Sequence, residues 1–247
     1  EGESQVIMAR VLEEVLDCRY EGLEEESPFA QLADTLAAGR DDSRLAALVL
    51  ELYDKVQSHA DPAGWLAENR TVWGGWEGGF DDTPYAAELL AAIRRKGAHW
   101  GALLRSASAR TEGDEALYRG YGEKFLQVSV AFDALAQVQT WEAARQTEAA
   151  VAFPRLSTPK GRKDEPGIAA LKQVWERCKA EEKKLAGLLS VSEEEAMEDL
   201  TAVAPAMVAL LELTEDFAER YRQEKLRLNA ADFSDQEHLA LGLLVGS

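Results

Sequence analysis

The chain has 247 residues, 46% of them hydrophobic, and a formal net charge of -18. That length gives one or two domains, with enough apolar side chains for a core. The acidic balance excludes a surface that is basic throughout, as a general nucleic-acid footprint would be, and leaves that role to local patches. Cys18 and Cys178 lie far apart within helix-like stretches, which reads as two buried thiols and a reducing cytoplasm. The longest apolar runs are too short and too interrupted by charge for a membrane span. Glu1-Gly2-Glu3-Ser4 lacks the basic start of a signal peptide.

In chain order, Val6, Ile7, Val11, Leu12, Val15 and Leu16 step by three and four, as the buried stripe of a helix. Ser27-Pro28 reads as a cap followed by proline at the first helical position, and Gly39 as a stop. Asp41-Asp42-Ser43 opens a further helix whose stripe is Leu45, Leu48, Val49, Leu52, Tyr53 and Val56. Asp61-Pro62 opens another, carrying Trp65 and Leu66. Four glycines among Trp73, Trp76 and Phe80 predict a flexible aromatic loop.

Thr83-Pro84 restarts helix, and two long segments follow over 83–111 and 114–151. In the second, Leu117, Tyr121, Phe125, Val128, Phe132, Leu135, Val138 and Trp141 can line one side of a helix about 50 Å long. Two prolines and a glycine make Phe153 to Lys163 a loop. Helix returns from Pro166 to Leu189. Ser192 and Glu195 then form a capping box for a helix that reaches Leu228 and is interrupted by Pro205. Ser234 is placed to cap a last amphipathic helix through Leu239, Leu241, Leu243 and Leu244. No stretch alternates as a strand does. The fold class is all-α, a multi-helix assembly with several long helices.

Little in the sequence suggests catalysis. The phosphate-cradling Gly-x-x-x-x-Gly-Lys-Ser/Thr motif is absent. His59, His99 and His238 stand alone, without the spacing of a metal site. No catalytic or metal-binding residue is assigned. The best binding candidate is the loop, where Arg155, Lys160, Arg162 and Lys163 place four cations, followed by Asp164 and Glu165. A mobile basic loop can neutralise phosphates without reading bases; the plainer alternative is a solvated connection. Arg94-Arg95-Lys96 fans around a helix and reads as a solvated surface. Trp65 and Trp100 occupy stripe positions and read as core. Trp73 and Trp76 are open to core packing or to stacking on bases or a partner.

The block Asp232-Phe233-Ser234-Asp235-Gln236-Glu237 resembles the Asp-Phe-x-Asp-Leu-Glu block of UvrD-like DNA helicases, most closely the AddA proteins of bacterial ATP-dependent helicase/nucleases. Arg10 to Leu16, Asp41-Asp42 with Leu45 to Tyr53, Asp61-Pro62-x-x-Trp65-Leu66 and Phe153-Pro154-Arg155-Leu156 resemble further segments of that family, in the same order. Gln236 departs from it, where leucine is usual. The resemblance implies a helical 1B accessory subdomain over 1–230. It also implies a return segment over 231–247 toward an ATPase core, in which Asp232, Phe233, Asp235 and Glu237 pack, and which frays without that core. It implies a non-catalytic piece that guides DNA, as a duplex end or single strand, or that docks a partner. The whole enzyme would use ATP and Mg, act in double-strand-break repair and recombination, and work with an AddB-like second subunit.

Overall fold

The computed structural model describes residues 2–36, 43–163 and 165–245, and every regular element among them is helical. By its internal contacts the chain divides into two compact units. Unit 1 is Glu1–Trp76 with Leu200–Ser247, and unit 2 is Glu77–Asp199.

Unit 1 joins the two ends of the chain. Helix α1 (Gly2–Glu21) buries Val11, Leu12, Val15 and Leu16. Its stripe is shorter than expected, because Ile7 packs only partly and Val6 is 69% exposed. Helix α2 (Pro28–Leu36) starts as the sequence predicts, with Ser27 Oγ accepting the Ala30 amide at 3.1 Å. Helix α3 (Ser43–Gln57) buries Leu45, Val49, Tyr53 and Val56. The predicted stop at Gly39 and opening at Asp41-Asp42 lie outside the described residues. Asp61 caps α4 (Pro62–Trp73) by accepting the Gly64 amide at 2.9 Å.

These helices meet Leu213, Phe217 and Tyr221 from the C-terminal part of α10 (Glu193–Arg227). The Tyr53 ring stands edge-on to Phe217 at 5.1 Å, while Phe217 and Tyr221 stack at 5.8 Å. Such aromatic pairs add specific geometry to the area they remove from water. Trp65 is half-buried rather than core, stacked on His59 at 5.1 Å. Trp73 and Trp76, also half-buried, form an edge-on pair at 5.4 Å. Helix α11 (Phe233–Val245) ends the unit.

In unit 2, Thr83 Oγ1 accepts the Ala86 amide at 3.2 Å and Pro84 begins α5 (Pro84–Ala109), as predicted. Phe80 is buried edge-on to Trp141, so this end of the glycine-rich stretch belongs to the core. Trp100 is buried as expected. The predicted 114–151 helix is instead four pieces: α6 (Glu115–Leu117), a π-helical turn (Tyr118–Gly122), α7 (Glu123–Leu135) and α8 (Trp141–Ala149). Tertiary partners set the break before α8. Thr140 Oγ1 accepts the Ala143 amide at 3.2 Å, the Trp141 amide donates to Asp81 at 2.8 Å, and the Trp141 indole donates to the Val191 carbonyl at 2.9 Å. Trp141 therefore enters the core from a new helix.

Helix α5 meets α7 closely at Gly97, where a Cβ would lie 2.6 Å from the Ala136 amide nitrogen. Helix α9 (Pro166–Leu188) adds Ile168, Leu171, Trp175, Cys178 and Leu185 to the buried side. Ser192 and Glu195 satisfy each other's amides at 2.8 and 3.2 Å, the predicted capping box of α10. That helix continues through Pro205. Among the described residues no helix is long and apolar enough to cross a membrane.

Candidate nucleic-acid interface

The segment from Phe153 to Lys163 lies wholly within unit 2 and is tied down along its length. At its start, the Phe153 ring packs edge-on against Trp175 of α9 at 5.1 Å. In its middle, the Ser157 amide donates to the Gly120 carbonyl at 3.2 Å, and Thr158 Oγ1 shares a hydrogen bond with the buried Tyr121 hydroxyl at 2.6 Å. Both partners belong to the π-helical turn. Approach this close requires glycine at 120, because a Cβ there would sit 2.1 Å from the Ser157 carbonyl oxygen. At its end, the Arg162 amide donates to the Pro159 carbonyl across a turn in which Gly161 has φ +82°, a conformation that glycine adopts freely. A loop expected to be mobile is thus fastened at three places.

The four predicted cations do not share one role. Arg155, Lys160 and Lys163 are exposed and line an open groove of about 700 Å³. Lys172 of α9 lines it as well, a residue the sequence did not single out. Among the described residues none of these four has a carboxylate within ion-pair distance. Arg162 does: its Nε and Nη2 donate to the two Glu165 carboxylate oxygens at 2.7 and 2.9 Å, and its Nη1 donates to Asp114 Oδ2. Hydrogen bonds from Glu165 and Asp114 hold the guanidinium charged and raise its pKa above the ordinary arginine value. The same Arg162 bonds hold both carboxylates below the usual range, helped at Asp114 by the Leu117 amide. Asp164 lies outside the described residues. The other basic run, Arg94-Arg95-Lys96, is partly engaged in structure: Arg94 donates to the Val138 carbonyl at 3.1 Å and Lys96 pairs with Glu181.

The second region singled out from sequence lies in unit 1. Asp232, not Ser234, caps α11. Asp232 Oδ1 accepts the Asp235 amide at 2.9 Å and Asp235 Oδ2 accepts the Asp232 amide at 3.0 Å. Ser234 instead donates to Gln57 at 3.1 Å. The expected fraying is not what the described residues show, since 233–245 is helix. Asp232 and Asp235 also accept from the buried Lys225 ammonium at 2.9 and 2.7 Å, and that ammonium lies 4.6 Å from the Tyr221 ring centre. Phe233 is 75% exposed, and Gln236 and Glu237 are exposed, so polarity at 236 costs no burial here. Leu239, Leu243 and Leu244 are exposed too.

His59, His99 and His238 remain apart, and among the described residues no group of three or more His, Cys, Asp or Glu side chains is placed to hold a metal ion. Cys178 is buried as expected, but Cys18 is exposed; both are free thiols.

No protein-family model matches the chain. Curated relatives do. The chain is 29% identical to AddA of Syntrophomonas wolfei, one of the two subunits of an ATP-dependent helicase/nuclease, over 98% of its own length and 20% of that protein's. It is 29% identical to the AddA protein of Desulforamulus reducens, over 99% and 20%, and 30% identical to that of Clostridium kluyveri, over 98% and 19%. The chain matches a segment of AddA. It spans about a fifth of the length of these AddA relatives. The likeness read from an ordered set of short motifs therefore runs along nearly the whole chain, and both the basic segment and the capped α11 are parts of an AddA-like helical segment.

Proposed function

We propose that this chain is a non-catalytic helical segment of an ATP-dependent DNA helicase/nuclease, and that its basic groove holds the phosphate backbone of DNA. One observation carries the reading: Arg155, Lys160 and Lys163 converge on a single open groove, without carboxylate partners among the described residues, in a chain of net charge -18. Cations left unpaired in an acidic protein are placed for a polyanion. The groove lining contains no aromatic residue, so bases have nothing to stack on and the contact is to phosphates, independent of sequence. In the whole protein this groove would steer a duplex end or a separated strand during double-strand-break repair and recombination in the cytoplasm. ATP and Mg would be used elsewhere in that protein, and an AddB-like second subunit would accompany it.

The test is fluorescence anisotropy of labelled duplex-end and single-stranded DNA across a salt series. The expected result is weak, salt-dependent binding. Its slope of log affinity against log salt should fall by about 2 to 3 when Arg155, Lys160 and Lys163 are all changed to glutamine, at about 0.9 per phosphate contact in B-DNA. No binding at low salt would overturn this reading. A docking role is the second reading, favoured by the exposed Phe233, Leu239, Leu243 and Leu244 of α11. It would gain if the second subunit bound the chain with an affinity that the same triple change left untouched.

A further inference from the structure

The basic run supplies four cations in sequence, yet the groove and the run do not contain the same four. Lys172 is outside the run and inside the groove, and Arg162 is inside the run with its guanidinium committed to two carboxylates. We infer that Lys172 of α9 is the fourth phosphate-contacting cation and that Arg162 is a positioning residue that shapes the groove without touching DNA. The inference rests on the DNA-backbone reading of the groove given above.

The geometry of Arg162 explains the division. Its fork engages Glu165, which immediately precedes α9, on two parallel bonds, and its remaining Nη1 reaches Asp114. Asp114 in turn caps α6, its Oδ1 accepting the Leu117 amide at 3.1 Å. One guanidinium therefore fixes the end of the basic segment to the start of α9 and to the start of the helix that leads into the π-helical turn. That turn carries Gly120 and Tyr121, which hold Ser157 and Thr158. Lys160 and Lys163 flank this brace at two and one positions from it, so its loss moves them together. A bidentate fork is needed for this, and a lysine ammonium in its place keeps the charge but not the two parallel bonds. Lys172 is placed differently. It stands on a regular helix between the buried Leu171 and Trp175, so its backbone is fixed by the core while its side chain lines the groove.

The same salt series separates the two roles. Lys172→Gln is expected to lower the slope by about 0.9, as one lost phosphate contact does. Arg162→Gln and Arg162→Lys are both expected to weaken binding several-fold with the wild-type slope retained, because neither removes a phosphate contact and neither restores the fork. Thermal melting of each variant reports whether it is folded. Should Arg162→Gln prove unfolded, Glu165→Gln removes one half of the brace and carries the same expectation. The inference is overturned if Arg162→Gln lowers the slope while Arg162→Lys restores it, or if Lys172→Gln leaves the slope unchanged while Lys160→Gln lowers it. Absence of binding by the unmodified chain would instead overturn the DNA reading itself.

Discussion

The Gly120 carbonyl accepts the Ser157 amide at 3.2 Å, and the approach leaves no space for a side chain at position 120. Gly120→Ala would drive a methyl group to 2.1 Å from the Ser157 carbonyl oxygen, a backbone atom that cannot rotate away. The basic segment must then lift from the π-helical turn. The expected outcome is a loss of about 1–3 kcal/mol in stability, the usual cost of overpacking, with faster protease cleavage within 153–163 and weaker DNA binding. Wild-type melting and cleavage in this variant would show that the segment is not seated against the turn.

A second prediction concerns the ammonium under α11. Lys225→Met removes the cation that Asp232 and Asp235 share and leaves two carboxylates facing each other. Breaking one side of a buried ion pair costs about 3–5 kcal/mol. Here the lower end applies, because both carboxylates keep some contact with solvent. Faster amide exchange over 232–245 is the measurement that checks it.

The same cluster sets a pH dependence. Burial disfavours the Asp232 carboxylate, but the Asp235 amide and Lys225 outweigh it, so its pKa lies below the ordinary aspartate value. Burial also opposes the Lys225 charge, and the hydrogen bonds from Asp235 and Asp232 overcome it, leaving its pKa above the ordinary lysine value. A lowered acid pKa gives stability that is complete above the unfolded value of about 3.9 and is lost as pH falls through the folded one. A raised lysine pKa gives stability that is complete below about 10.4 and is lost as pH rises through the folded one. The α11 contribution is therefore expected to be flat between about pH 5 and 9 and to decline outside that window. Helix exchange rates followed against pH would reveal a decline near neutrality if this assignment were wrong.

The two thiols should differ in reactivity. Cys178 is fully buried, and burial with the nearby Glu182 charge pushes its pKa up to about 12. Only the thiolate is a nucleophile. One equivalent of an aromatic disulfide reagent is expected to react quickly at pH 8, at the exposed Cys18, and a second only after unfolding. Two fast equivalents in the folded protein would contradict the burial of Cys178.

Local signals served the sequence well where the chain's own neighbours decide the structure. Ser27, Asp61, Thr83 and Ser192 each start a helix through an amide three residues on, a relation visible in the sequence. The stripe of α3 was legible for the same reason. The break before Trp141 was not, because no glycine or proline marks 136–140 and its partners, Asp81 and Val191, are 60 and 50 residues away. The α11 cap was misplaced by two residues: Ser234 is a good capping type, but an Asp at each end of Asp232–Asp235 satisfies two amides at once. In the basic segment the charges were legible and their division was not. Arg162 finds Asp114 at a separation of 48 residues, and Lys172 reaches the groove only because α9 runs beside it.

The discontinuity of unit 1 bears on how the chain is made. Val11 and Leu45 share a core with Phe217 and Tyr221, which leave the ribosome about two hundred residues after Val11 does. All of unit 2 is synthesised in that interval. The N-terminal helices must wait with their apolar stripes uncovered, a state open to aggregation, while a shorter-range set of contacts can already close behind them. Vectorial synthesis thus favours an order in which the middle of this polypeptide is complete before its two ends can meet.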